Sequence, residues 1–329
     1  MFIKNEGFGK LLKENFASQM INRYILILLL IVELFVFSRI SEYFFTMRNL
    51  FSTGLNTSVL GIVAIGQTLC ILTSDFDLSV GNTAAFTGIM SAWFFHHTNG
   101  NLGLSIGLAL LAALCIGLVN GLLITKARIS AFITTMATNF IIGGVIILIT
   151  HGQAIIVSNK AFGFLGKTTL TGIKIPLPMV IFVLLYIIFA WILKNTVFGR
   201  QLYCVGGNKQ AAIISGININ RVKIVTFMTS SLMAGFAGII LAARMSAGQI
   251  TVGSNYPMES IAATVLGGTI LAGGSGNIIG TFFGVLVTGI LSNGLTMVGV
   301  SQAWRDIATG LLLVLAIVLQ NTMTKSTKN

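Results

Sequence analysis

The chain has 329 residues, of which 55% are hydrophobic and only 9% charged, and its mean hydropathy is +0.93. A soluble domain carries roughly 25% charged residues, so a chain this poor in charge cannot clothe a water-facing surface and must present much of itself to lipid; a soluble enzyme or receptor domain is excluded. The net charge of +12 does not mark a nucleic-acid binder, because the basic residues sit mainly in short loops beside apolar runs, the pattern that orients membrane proteins. Of three cysteines, Cys70 and Cys115 fall inside apolar runs and read as small buried residues, Cys204 falls in a basic loop, and no disulfide is implied.

Residues 1–23 are polar and charged and form a cytoplasmic N-terminal segment. The first apolar run ends in Phe37-Ser38-Arg39-Ile40 without a small-residue cleavage site, so it reads as a retained span. A crossing helix needs about 20 apolar residues. Ten runs approach this, at 24–40, 52–74, 80–96, 102–125, 132–150, 175–194, 223–243, 258–272, 277–298 and 303–320. The eighth is the weakest, interrupted by Gly267-Gly268 and Gly273-Gly274; eight to ten spans fit, and ten is the expectation.

An even number puts both termini on one side. With the termini inside, Lys4, Lys10, Lys13, Arg23, Lys126, Arg128, Lys194, Arg200, Lys209, Arg221, Lys223, Lys325 and Lys328 are cytoplasmic, 13 of the 20 basic residues. Arg39, Arg48, Lys160, Lys167, Lys174, Arg244 and Arg305 are then external. The bias favours cytoplasmic termini. The expected fold is an all-α polytopic membrane protein of about 10 transmembrane helices. Its membrane domain runs over 24–320, with a cytoplasmic loop at 195–222 and a tail at 321–329.

Glycines run through the spans. Gly280, Gly284 and Gly289 line one side of the ninth, which reads as close helix packing within the subunit or as a subunit interface. Gly117-Leu-Val-Asn-Gly-Leu122 in the fourth span is echoed by Gly289-Ile-Leu-Ser-Asn-Gly-Leu295 in the ninth. Five is an odd offset, so a repeat of this kind is an inverted five-helix repeat.

Polar residues at membrane depth are functional candidates. Gln67, Asn120, Asn139 and Asn293 read as lining a polar path or as bonding between helices. Asp75 and Asp77 lie in Thr73-Ser-Asp-Phe-Asp-Leu-Ser-Val-Gly81. Two readings stand for this stretch: a cytoplasmic turn in which Asp77 caps the next helix, or a broken-helix element on the path. Glu33 sits in the first span. No Gly-x-x-x-x-Gly-Lys-Ser/Thr phosphate loop occurs, and His96-His97 cannot share a helix face, so no metal site is expected. In the loop at 195–222, Asn208 is a good N-cap and Gly216 a natural stop, so a helix of about two turns is expected between them. So short a helix needs a surface to dock on, either its own bundle or a separate cytoplasmic protein.

Three stretches together resemble the permeases of ribose-, xylose- and galactose-type ABC importers. They are Gly66-Gln67 with Asp77-Leu-Ser-Val-Gly81; Gly199-Arg200, Gly206-Gly-Asn208, Ala211-Ala212 and Ser215-Gly-Ile217; and Ile261-Ala-Ala263, Val265-Leu-Gly-Gly-Thr269, Leu271-Ala-Gly-Gly-Ser-Gly276, Gly280-Thr281 and Asn293-Gly-Leu295. One departure stands out: where relatives read Thr-Gly-Gly-Ile-Asp, this chain has Thr73-Ser74-Asp75-Phe76-Asp77. The resemblance implies a non-enzymatic subunit of a bacterial inner-membrane importer for ribose or a related monosaccharide. It implies a second permease copy, a cytoplasmic ABC ATPase that carries the ATP and Mg, and an extracytoplasmic sugar-binding protein. It also assigns coupling to the ATPase to Gly206, Gly207, Asn208, Ala211, Ala212, Ser215 and Gly216. A competing class is an ion-coupled secondary transporter using Asp75, Asp77 or Glu33.

Overall fold

The computed structural model describes residues 26–170 and 175–326; the segment 1–23 and Lys174 and Lys328 lie outside the described residues. In chain order the helices are α1 (26–40), α2 (Met47–Leu72), α3 (Val80–His97), α4 (Leu102–Thr125), α5 (Ala131–Thr150), α6 (Phe164–Lys167) and α7 (Leu177–Asn195). They continue as α8 (Val197–Gly207), α9 (Lys209–Ile214), α10 (Ile219–Met245), α11 (Tyr256–Leu266), α12 (Ile278–Met297) and α13 (Gln302–Ser326). Two short strands, β1 (Ile155–Ile156) and β2 (Ala247–Gly248), pair antiparallel. The chain is thus mainly helical, and six described helices, α2, α4, α5, α7, α10 and α12, are long and apolar enough to cross a membrane.

Side chains start these helices where the sequence offers them. Asn101 Oδ1 accepts the Leu104 N–H at 3.0 Å to open α4, and Asn218 Oδ1 accepts that of Arg221 at 3.0 Å to open α10. At the centre lie α2 and α10, which run antiparallel. Arg244 bonds to Asn56 at one end, Gly66 meets Ser230 in the middle, and Lys223 meets Asp75 at the other end. A Cβ on Gly66 would stand 2.6 Å from Ser230 Cα, so the glycine is what lets the two backbones touch. Every residue of α2 from Thr57 to Leu72 is buried, as befits a helix apolar all round.

The flanking helices come in matched pairs. α4 lies on α10, with Gly117 over Phe227 and Met228, as α12 lies on α2, with Gly289 over Thr57. α3 packs on α10 and α11 on α2, while α5 covers α3 as α13 covers α11. Gly280 and Gly284 are used inside the subunit, against the carbonyls of Gly267 and Ala263.

One expected span comes out differently. The run at 258–272 becomes α11, 11 residues long and so about 16 Å, roughly half the hydrocarbon thickness. After it the chain is irregular, with Gly268, Gly273 and Gly274 at φ +86°, +85° and +71°, angles that disfavour any residue with a Cβ. The run at 80–96 becomes α3, whose start lies against the middle of α10: Asp77 bonds to Ser230, and the Gly235 carbonyl accepts from Thr87. α3 and α11 begin beside each other, for a Cβ on Gly81 would stand 2.5 Å from the Gly253 carbonyl oxygen. The connector between α10 and α11 therefore dips in to meet α3.

Cys115 is exposed on α4 and not buried as its apolar surroundings suggest. The helix is packed on one side only, and Cys115 falls on the other.

Candidate functional site

The turn between α2 and α3 carries the densest polar network at membrane depth among the described residues. Asp77 is fully buried. Its Oδ1 accepts from the Ser79 N–H at 3.0 Å and the Ser79 hydroxyl at 2.5 Å, and its Oδ2 accepts from the Ser230 hydroxyl at 2.8 Å. Asn120 Nδ2 donates to Ser79 Oγ at 3.0 Å, and Thr138 Oγ1 donates to Asn120 Oδ1 at 2.6 Å. The result is a directed chain of donors from α5 through α4 to one carboxylate. Thr135 fastens the same turn, accepting the Leu78 N–H at 3.1 Å. Asp77 lies level with the middle of α10, beside Ser230, and its Oδ1 accepts the Ser79 N–H at the start of α3, so it caps that helix end as one reading has it while sitting inside the bundle as the other has it.

Only Asn120 of the other path candidates joins Asp77. Gln67 is buried on α2, with neither amide atom bonded among the described residues. Asn139 enters through its backbone carbonyl, which accepts from Asn82 at 2.7 Å. Asn293 makes a reciprocal amide pair with Asn49, at 3.1 and 3.0 Å, near the opposite end of α2. The sequence did not single out Ser79, Ser230 or Thr138, because small hydroxyl residues in apolar helices usually bond their own backbone.

At the C-terminal end of α2, where the family pattern has two glycines, this chain has Ser74 and Asp75. Ser74 adopts φ +64°, a left-handed angle that glycine takes without strain. Its hydroxyl reaches the Ala272 carbonyl at 2.7 Å and the Gly206 carbonyl at 3.2 Å. Asp75 pairs with Lys223 at 2.5 Å, each side chain about 10% exposed. Lys223 is therefore a buried partner and not a free loop charge. The added carboxylate has a counter-charge and the added serine ties three segments together.

The loop at 195–222 holds two helices where one was expected. α9 is the expected one: Asn208 Oδ1 accepts the Ala211 N–H at 3.0 Å, and Gly216 ends it at φ +75°. α8 precedes it, capped by Thr196 Oγ1 on the Gly199 N–H at 3.2 Å. Gly206 is wedged against the Leu72 carbonyl and Gly274, so it serves the bundle itself, and Ala212 is buried with it. Gly207, Asn208, Ala211, Ser215 and Gly216 are exposed. Beside them, Ile213 and Ile214 are 62% and 87% exposed, an apolar pair that the sequence reading passed over.

These features define a polytopic helical membrane protein with a buried polar turn inside the bundle and a helical loop locked to it. Residues 49–317 match the family model described as branched-chain amino acid transport system / permease component, and the chain belongs to that family. It is a multi-pass inner-membrane protein. It is 39% identical to the ribose import permease protein RbsC of Escherichia coli (strain K12), over 89% of this chain and 91% of that one. It is 36% identical to RbsC of Bacillus subtilis (strain 168), over 88% and 90%. To the L-arabinose transport system permease protein AraH of Escherichia coli (strain K12) it is 35% identical, over 84% and 83%. No solved structure matches the chain.

Proposed function

We propose that this chain is the membrane-spanning permease subunit of an ATP-driven ABC importer, forming the translocation pathway for ribose or a related monosaccharide. The sugar part of the reading draws on relatives named for ribose and L-arabinose import. The observation that carries the coupling part is the two-sided build of α9. Ala212 and Gly206 anchor its base to the bundle while Ile213 and Ile214 stand out from it. An apolar pair on a short cytoplasmic helix is suited to seat in a groove of an ATPase, and its anchored base passes any displacement to Leu72, Ser74 and the Asp77 turn. In this reading ten helices, including the short α11, make the membrane domain. α1 to α5 are related to α7 and α10 to α13 as an inverted repeat, an arrangement the paired packing supports, and both termini are cytoplasmic. Two permease copies form the pathway, a binding protein delivers the sugar outside, and ATP and Mg belong to the ATPase.

Reconstitution in liposomes tests this. Sugar uptake is expected only with the ATPase, the binding protein and ATP all present. Uptake by the isolated chain, driven by a proton gradient and indifferent to ATP, would overturn the reading in favour of a secondary transporter. A substitution of Gly207 or Ala211 by Arg, both of which are exposed, is expected to separate ATP hydrolysis from uptake while leaving membrane insertion intact.

A further inference from the structure

The start of α11 is recessed. Thr68 of α2 faces both Thr264 of α11, at 3.4 Å, and Thr281 of α12, at 3.0 Å, so the three share a level. From there α11 reaches back eight residues to Tyr256, about 12 Å, whereas α12 climbs fifteen residues to Thr296, about 22 Å. The beginning of α11 thus lies about 10 Å below the outer end of α12. The irregular backbone that leads into it has Ser254 and Asn255 exposed. Exposed non-helical backbone at membrane depth is tolerated only where it lines water.

The side chains around that recess are those of a polar site. Asn255 Nδ2 and Gln302 Nε2 both donate to Asp306 Oδ1, at 3.1 and 2.8 Å, which leaves Asp306 Oδ2 without a partner among the described residues. Arg305 reaches Gln302 and Thr296, but its buried Nε has no partner. Glu259, in the first turn of α11 and half-buried, makes no side-chain hydrogen bond or ion pair among the described residues. On α13 the spacing of Gln302, Arg305 and Asp306 keeps them on one face, while Trp304, Ile307 and Leu311 occupy the opposite, lipid-suited face. Free carboxylate oxygens, side-chain amides and one guanidinium are groups that bond to hydroxyls. Two carboxylates against one arginine leave the cluster with a single net negative charge, which disfavours phosphorylated or carboxylated solutes.

We propose that the recess formed by Asn255, Glu259, Gln302, Arg305 and Asp306 is an outward-facing, water-filled contact site for the transported solute, suited to a neutral polyhydroxylated molecule such as an unphosphorylated monosaccharide. It rests on the permease reading above and names the residues that hold the sugar on entry. The site uses none of the residues that the sequence suggested for the pathway.

The test uses the whole importer, permease with its ATPase and binding protein, in proteoliposomes. With Cys70, Cys115 and Cys204 changed to Ser, single Asn255→Cys and Asp306→Cys variants are exposed to a membrane-impermeant maleimide from outside, with Ile307→Cys as the lipid-side reference. Both recess positions are expected to label, and Ile307→Cys is not. Uptake of radiolabelled ribose and L-arabinose is then measured for Glu259→Gln and Asp306→Asn. A fall of at least tenfold is expected, with ATP hydrolysis stimulated by the binding protein staying within twofold of the unsubstituted importer. Failure of both recess cysteines to label, or uptake within twofold in both carboxylate variants, overturns the proposal. If the unsubstituted importer takes up neither sugar, the monosaccharide reading itself falls, and the proposal with it.

Discussion

The starts of α3 and α11 lie side by side, yet one is sealed and the other is open. At α3, Asp77 is enclosed by Ser79, Ser230, Asn120 and Thr138, and each donor in the chain is taken. At α11, Asn255 and Asp306 are exposed and Glu259 stands without a partner among the described residues. Two helix starts set side by side are therefore used in two ways: a closed hydrogen-bonded plug and a polar recess. The difference lies in what the neighbouring helix supplies. α5 brings Thr135 and Thr138 to the first, compact groups that fill space, whereas α13 brings Gln302, Arg305 and Asp306 to the second, long or charged groups that require water.

The comparison can be broken first at the ion pair behind the plug. Lys223→Met leaves Asp75 buried without its counter-charge and is expected to cost about 3–5 kcal/mol, read as a loss of thermal stability in detergent. Asp75→Leu combined with Lys223→Met should recover most of it; no recovery would mean that the pair is not what holds the turn.

Next comes the plug against the recess. Asp77→Ala strands the Ser79 and Ser230 donors in a buried site and should cost about 2–4 kcal/mol. Asp306→Ala, on an exposed face, should stay within about 1 kcal/mol. Equal losses at the two positions would show that both ends are structural.

On α9, Ile214→Asp removes half of the exposed apolar pair without touching the core. Roughly a tenfold loss of ATPase affinity, about 1.4 kcal/mol, is expected, with an unchanged melting temperature. Normal assembly of this variant would move the docking surface elsewhere. Smallest is the far end of α2. Asn293→Ala breaks one reciprocal amide pair, for which bonds between membrane helices suggest about 0.6 kcal/mol, and it should leave uptake unchanged if Asn293 is a packing residue and not a pathway one.

Much of this was legible in the sequence for simple reasons. Lipid exposure follows from composition, because a bilayer admits few charges however the helices are arranged. The runs that became α2, α4, α5, α7, α10 and α12 were visible from length and apolarity alone. α9 was visible because Asn208 and Gly216 are local signals that act within one turn. The family resemblance was carried by short stretches whose glycines prove to be contact points, such as Gly66 on Ser230 and Gly206 on Leu72.

What the sequence could not fix is depth. Residues 258–272 read as a full span because hydropathy counts apolar residues and does not say where a helix starts or stops relative to its neighbours. Only packing places Asp77 inside the bundle, against α10, and sets the start of α11 beside that of α3. Nor could the sequence say which polar residues meet: Asp77, Asn120, Ser230 and Thr138 are brought together by tertiary contact, while Asn139 and Asn293, equally polar on paper, are kept away. Composition and local signals set the medium and the helices, since both depend on groups near one another in the chain. The sealed and open sites were decided by the fold, since each needs partners from helices far apart in sequence.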